Sequence, residues 1–431
     1  MMRRIDLASL DAAGRAALVT RSAVPAAEVR RAAAELVEAV RAGGDAALAE
    51  AGARFGGARP GGPRVPGREI AAAAAALDPA LRDAITVAAG NVRRVHTDQV
   101  PASSAVEVVP GVTVERHWTP LRRVGAYVPG GSAPLPSTLI MTVVPARVAG
   151  VGSIVVATPA RPDGTVDPVL LATAALLEVD EVYAMGGAQA IAALAYGTET
   201  IPAVDKIVGP GNAWVTAAKL AVAGECAIDM PAGPSEALVL ADADADPRHV
   251  AADLLAQAEH GPDSPAVLVT TDEDAAERIL AEAEALLGRL DRADVIRKAL
   301  RDHGMVVIAP DSDGALRFAD DFAPEHLSVH LSEPEEAVAR VTSAGSVYVG
   351  PWAPEPVGDY ASGANHVLPT GGLACSTGPL GTEDFGSWRQ VQRLTREGLE
   401  TLRPTVVGLA TAEGLTAHRA AVEVRFEEAG R

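Results

Sequence analysis

Cysteine is nearly absent: Cys226 and Cys375 are the only two among 431 residues, and they form no C-x-x-C pair. Neither a disulfide framework nor a thiolate zinc site is available, so any metal must be held by nitrogen and oxygen. Basic residues are in deficit, 37 against 56 acidic ones. The resulting net charge of −19 sets up a field that repels phosphate backbones and anionic lipid, which argues against nucleic acid and membrane partners. No apolar run approaches the ~20 residues of a membrane span. The opening Met-Met-Arg-Arg-Ile-Asp-Leu lacks the apolar core of a signal peptide, and the expectation is a soluble, cytoplasmic protein. A G-x-G-x-x-G fingerprint after a strand is missing too, so local sequence offers little sign of a nicotinamide dinucleotide.

What is present is the composition of a globular protein, 48% hydrophobic and 22% charged, in a chain longer than one core usually serves. Residues 1–23 read as a short helical arm. Helices are predicted from Pro25 to about Ala53, with an interruption at Gly43-Gly44, and from Pro79 to about His96. From Ser153 onward short apolar strands alternate with helices in two series, the second beginning near Ala237. Such alternation predicts right-handed βαβ units and parallel sheets, hence an α/β protein with two doubly wound, Rossmann-like domains. Ser332 and Glu335 read as a capping box, and Ala412 to Glu427 reads as a helical tail of the kind that packs on a partner subunit.

The best-punctuated helix opens at Asp246, a plausible N-cap before Pro247, and Gly261 suits a left-handed C-cap. Val250, Leu254 and Gln257 fall on one stripe, with His260 three residues on. Two polar side chains thus lie near a face that should be buried. On this stretch alone a hydrogen-bonded core pair is the simpler reading. Glycine-rich turns at Gly186-Gly187-Ala188-Gln189 and Gly209-Pro210-Gly211-Asn212 precede helices, whose free N–H groups could meet a dinucleotide phosphate or merely close tight turns. Tyr127 opens a turn, Tyr127 to Gly131, and is expected to be exposed. Pro324-Glu325-His326 sets a carboxylate beside an imidazole. If the backbone is extended, the two point to opposite sides and can act as separate proton-transfer groups, though an exposed loop pair is equally compatible. Asp359 and His366 share a glycine-rich loop, and Glu413 and His418 a predicted helix. His260, Asp359 and His418 together make a nitrogen and oxygen set of the kind zinc accepts.

From about residue 24 to the end the chain resembles histidinol dehydrogenases. The segments that carry the likeness are GAYVPGGSAPLPST, GGAQAIAALAYGT, DKIVGPGNAWVTAAK, DMPAGPSE, DLLAQAEHG, FAPEHL, GDYASGANHVLPT and EGLTAHRAAVEVR, in that order. The resemblance implies a four-electron oxidation of L-histidinol to L-histidine through L-histidinaldehyde, with two NAD+ consumed and one zinc ion per site. It makes Gln257, His260, Asp359 and His418 the zinc ligands and His326 the general base, while Glu325 activates water. Tyr127, Gln189 and Asn212 become dinucleotide contacts. Ser235, His366 and Glu413, together with His326 and the four ligands, surround the substrate. It further implies a homodimer in which the C-terminal segment completes the partner's site.

The domain plan that follows is residues 1–23 as the arm, 24–126 with 238–380 as one Rossmann-like domain, 127–237 as a second inserted in it, and 381–431 as a dimerisation tail. This chain departs from the family's usual pattern at Gly261, at Trp214 and across Ala374 to Arg393. A competing reading of the same residues is a zinc hydrolase acting on a cationic amino acid derivative, with Glu325 activating a metal-bound water.

Overall fold

The computed structural model describes residues 2–130 and 134–427, so Gly131 of the Tyr127 turn and residues 428–431 of the tail lie outside the described residues. Its strands in chain order are β1 Arg3–Asp6, β2 Ser104–Val109, β3 Val112–Pro120, β4 Arg123–Tyr127, β5 Ser153–Thr158, β6 Glu181–Ala184 and β7 Lys206–Val208. There follow β8 Ala227–Ile228, β9 Ala237–Ala241, β10 Ala266–Thr270, β11 Met305–Ile308, β12 His326–His330, β13 Ser346–Val349 and β14 Gly386–Leu394. Two sheets are wholly parallel, one ordered β1-β11-β10-β9-β12-β13 and the other β6-β5-β4-β7-β8. Both lie in a unit formed by residues 1–99 and 121–385. In each, the first strand of the series sits inside the sheet and its successors leave to both sides, which is the doubly wound arrangement. Strands such as Ala237–Ala241 and Ala266–Thr270 are buried along their whole length, as parallel strands covered by helices on both faces must be. The five-stranded sheet is inserted between β1 and β9 of the six-stranded one.

Four expectations about this unit change. The arm is not only helical: β1 pairs in parallel with β11, and Leu7 joins the core beneath, because the apolar Ile5 and Leu7 have a sheet edge to complete. Residues 24–126 do not go with the six-stranded sheet. The helix Ala27–Phe55 packs on the helices Gly187–Tyr196 and Ala213–Val222, and the helices Gly67–Ala76 and Pro79–Asp98 pack on Pro168–Leu176 and Pro136–Ala149. The stripe Ala33, Val37, Val40 and Leu48 is the reason, since it shares one core with Tyr127, Val155, Ile191 and Leu194 of the five-stranded half. The interruption expected at Gly43-Gly44 is present as a kink at Gly44, with φ of 53°. Ser332 makes no capping box: the next helix begins at Pro334 without a side-chain cap, and the Ser332 hydroxyl donates instead to Asp242. The segment expected to hold Asp359 in a glycine-rich loop is not all loop, for Glu355–Tyr360 is a short helix.

A second unit comprises residues 100–120 and 386–431. It contains an antiparallel sheet ordered β14-β3-β2, in which Trp388 stands opposite Trp118 and the Arg116 guanidinium lies 3.8 Å above the Trp388 ring. The helices Arg396–Ala412 and Thr416–Glu423 follow. The tail therefore starts at 386 instead of 381 and takes its sheet partners from 100–120. Its helix breaks at Gly414, where φ is 71°, so Glu413 caps one helix while His418 lies in the next. No described helix is long and apolar enough to cross a membrane.

Candidate active site

The helix Pro247–Glu259 forms as its sequence demands. The Asp246 carboxylate accepts from Arg248 N–H at 2.9 Å, Pro247 takes the first turn, and Val250, Ala251, Leu254, Leu255 and Ala258 bury the apolar face. Gln257 continues that face and is 0% exposed, yet it is not a satisfied core amide. Its Nε2 has no hydrogen-bond partner, and its Oε1 is only 3.5 Å from Ser235 Oγ. A buried amide left so costs about 1–3 kcal/mol, which marks a side chain held for something other than packing. His260 ends the helix in right-handed conformation, so Gly261 is not the left-handed cap; its φ is not positive. Ending there leaves the imidazole side chain 40% exposed, with Nε2 3.8 Å from Asp359 Oδ2.

Asp359 sits on the helix Glu355–Tyr360, one turn after Glu355. Residues four apart share a helix face, so both carboxylates project together. His260, Glu355 and Asp359 offer donor atoms that lie within 4.8 Å of one another. His366 stands behind Asp359, with Nδ1 3.1 Å from its carbonyl and 3.7 Å from its carboxylate. Glu355 is 1% exposed, and neither of its oxygens has a hydrogen-bond partner. Burial, with Asp359 and Glu325 adding repulsion, pushes its carboxyl well above the usual range. Sequence reasoning missed Glu355. The available signal was the four-residue spacing to Asp359 just after Pro354, which discourages helix before it.

The Glu325-His326 pair is buried, not an exposed loop. The helix Ser312–Phe322 ends at Ala323 with φ of 45°, Pro324 follows, and β12 begins at His326 itself. Glu325 thus precedes the strand, and its head turns back toward its neighbour: Oε2 is 3.8 Å from His326 Nδ1, not on the opposite side. The same Oε2 accepts from Ser235 Oγ at 2.7 Å and from Glu236 N–H at 2.9 Å. His326 N–H donates to the Glu236 carbonyl. Its ring is 2% exposed, both ring nitrogens are unpartnered, and Tyr348 lies 6.0 Å away between centroids. Burial lowers the proton affinity of this imidazole, Asp359 opposes that and His260 adds to it, and the balance puts its pKa at about 4. Burial likewise pushes the Glu325 carboxyl up, against the two hydrogen bonds that pull it down. The arrangement is a neutral imidazole beside a carboxylate of raised proton affinity, both coupled to an acidic cluster with one imidazole.

Ser235, Glu325 and His326 collect at the amino ends of β9 and β12. The three expected dinucleotide contacts lie elsewhere, at the carboxyl edge of the five-stranded sheet. Tyr127 ends β4, Gln189 follows β6, and Asn212 follows β7, around the point where strand order reverses. Tyr127 is buried, not exposed, and its hydroxyl oxygen accepts from Gly187 N–H at 3.1 Å. Asn212 caps the helix Ala213–Val222 by accepting from Trp214 and Val215 N–H. Gly209 has φ of 110°, and a Cβ there would collide with the Tyr127 carbonyl, so glycine is required by both conformation and space. Glu413 and His418 belong to the second unit, where both are exposed.

The family described as histidinol dehydrogenase matches residues 19–426. Among curated relatives, the histidinol dehydrogenase of Xanthomonas euvesicatoria pv. vesicatoria is 46% identical over 428 residues, covering 99% of each chain. That of Methanothermobacter thermautotrophicus is 45% identical, covering 95% of this chain and 96% of its own. The crystal structure of histidinol dehydrogenase from Elizabethkingia anophelis superposes with a TM-score of 0.93 at 38% identity, covering 99% of this chain and 98% of that one.

Proposed function

The chain belongs to the histidinol dehydrogenase family, and on that footing we propose that it oxidises L-histidinol to L-histidine through L-histidinaldehyde, with two NAD+ reduced per turnover. The observation that carries this reading is the His326 imidazole, buried and neutral with both nitrogens free, beside Glu325 and coupled to Asp359 and His260.

The donor set near His260 suits a zinc ion. It is made of nitrogen and oxygen only, its atoms lie within 4.8 Å of one another, and the Gln257 amide beside it has an unanswered polar atom. Gln257, His260 and Asp359 would hold the ion, with His418 supplied by a second copy of the chain. Bound zinc supplies a fixed positive template for the substrate's amino and imidazole nitrogens and undergoes no redox change. Tyr127, Gln189 and Asn212, at the carboxyl edge, would hold NAD+, which when bound would supply the hydride acceptor for each oxidation.

The protein's own groups move the protons. His326 takes the alcohol proton as the C–H bond is given up, a part for which the ring stands unprotonated because it is neutral well below physiological pH. Glu325 then takes a proton from the water that adds to the aldehyde carbon. Both of its hydrogen bonds fall on Oε2, so Oε1 is the oxygen left for that proton. His326 acts again on the hydrate, and the sum is an alcohol plus water and two NAD+ giving a carboxylate, two NADH and three protons. Ser235 holds Glu325 in place, and His366 and Glu413 complete the substrate's surroundings, Glu413 from the second copy. The assembly is a homodimer, and the setting is the cytoplasm.

Zinc-loaded protein given L-histidinol and NAD+ releases two NADH for each histidine formed, read by absorbance and amino acid analysis. No NADH from fully loaded enzyme would sink the proposal, and release of a cationic amino acid from its ester or amide, with no NADH from histidinol, would turn it toward hydrolysis.

A further inference from the structure

The short helix Glu355–Tyr360 brings two carboxylates to one place, and of the two only Asp359 is given the part of a ligand above. Glu355 is the less exposed of the two, at 1%, and both of its oxygens lack any hydrogen-bond donor. Among the described residues no lysine or arginine forms an ion pair with it. The charged groups that act on it, Asp359, Glu325 and Asp253, are all acidic and repel it. A buried carboxylate in that position persists where a cation answers it.

Geometry selects the cation site. Glu355, Asp359 and His260 each place a donor atom within 4.8 Å of the other two, with His260 Nε2 3.8 Å from Asp359 Oδ2. Zinc–nitrogen and zinc–oxygen distances of ~2.0–2.2 Å put neighbouring ligand atoms about 3 to 4 Å apart, so a shift of roughly 1 Å or less brings the three onto one ion. Glu355 reaches it from the same helix face as Asp359, one turn earlier, and without help from another subunit.

We propose that Glu355 is a further ligand of the cation site in the substrate-free enzyme, holding beside Asp359 a coordination position that the substrate's nitrogens later take. The inference rests on the zinc site proposed above. It adds to that site a donor drawn from one chain, and gives the resting metal a closed shell before substrate arrives.

The test uses full-length apo-protein titrated with zinc against a competing chelator, and cobalt(II) substitution followed by visible absorption, without turnover. Glu355→Gln is near-isosteric and relieves charge repulsion. It should weaken zinc binding by about ten- to a hundredfold and shift the cobalt spectrum of the substrate-free protein. Histidinol added to both proteins should bring the two spectra together. Glu355→Asp, which keeps the charge but withdraws it by one methylene, should give an intermediate affinity and guards against a fold defect in the first variant. Wild-type affinity and an unchanged cobalt spectrum in Glu355→Gln would overturn the role of Glu355 while leaving the site intact. Failure of the wild-type protein to bind zinc or cobalt would overturn the site and this ligand together.

Discussion

The Gly209 turn, beside the proposed seat of the dinucleotide, should fail when the buried ion pair beneath it is broken. Lys219 and Asp229 have side chains 2% and 1% exposed, and between them they clamp both polar groups of one residue. Lys219 Nζ donates to the Gly209 carbonyl at 3.0 Å, and Gly209 N–H donates to Asp229 Oδ2 at 2.7 Å. Met230 N–H adds a third contact to the carboxylate. Lys219→Met leaves Asp229 charged and buried with only two N–H donors, and it orphans the Gly209 carbonyl, a combination that should cost about 3–5 kcal/mol. Asp229→Asn keeps an acceptor for Gly209 but strands the ammonium, at a similar cost. The double variant removes both charges, so its loss should fall short of the sum by roughly 1–3 kcal/mol. Urea midpoints at constant slope read the cycle. In the same proteins KM for NAD+ should rise severalfold with substrate-free zinc affinity unchanged, since the clamp touches the turn and not the metal ligands. Additive losses, or a zinc affinity that falls with the NAD+ affinity, would refute the reasoning.

Two further outcomes follow from the Glu325-His326 pair. Glu325→Gln retains an oxygen for Ser235 and Glu236 but cannot take a proton, so rapid mixing should show one fast NADH per site and a second slowed by about 10²–10⁴-fold, whereas His326→Asn should slow both; equal slowing of the two phases in Glu325→Gln would separate Glu325 from the water step. With His326 at about 4 in the folded protein and near its ordinary 6.5 when unfolded, the unfolded chain takes up the proton first as pH falls. Stability should therefore drop between about pH 6.5 and 4, by roughly 3 kcal/mol from this group, with no contribution above that window. Urea midpoints across the range test this, and an equal pH slope in His326→Asn would contradict it.

Much of the site is written locally. Asp246 and Pro247 fix where a helix starts, and the apolar period that follows puts Gln257 inside whatever it binds. Pro324 and the strand that opens at His326 set Glu325 beside His326, but their burial and the turn of the Glu325 head toward His326 depend on Ser235 and Glu236, far earlier in the chain. The parts that sequence reading misplaced depend on partners far along the chain. The stripe Ala33, Val37, Val40, Leu48 announces a buried helix face but not which sheet receives it. Tyr127 is hidden because Gly187, sixty residues on, donates to its hydroxyl. The strand Gly386–Leu394 reads Gly-Ser-Trp-Arg-Gln-Val-Gln-Arg-Leu, a pattern too polar to claim a face, and only pairing with Val112–Pro120 makes it a strand. Glu355 carries no local mark beyond its spacing to Asp359. Its significance comes from having no partner, and partners are not visible in one dimension.

The proposed reaction requires opposite edges of the two sheets to serve one substrate, and a short connection ties those edges together. Ligands of doubly wound sheets ordinarily sit at carboxyl ends, and the proposed dinucleotide contacts Tyr127, Gln189 and Asn212 lie at that edge of the five-stranded sheet. The six-stranded sheet instead presents Ser235, Glu325 and His326 at the amino ends of β9 and β12. The segment Asp229–Glu236 leaves β8 at its carboxyl end and enters β9 at its amino end, so a single short link ties one edge to the other. At one end Asp229 holds the Gly209 turn, and at the other Ser235 and Glu236 N–H hold Glu325. Six residue steps at the fully extended limit span at most about 22 Å, which bounds the separation of the two anchors whatever the loops around them do. In the proposed reaction the hydride leaves a carbon while the proton leaves the oxygen bonded to it, so both supports must serve one small substrate, and this link limits how far apart they can lie.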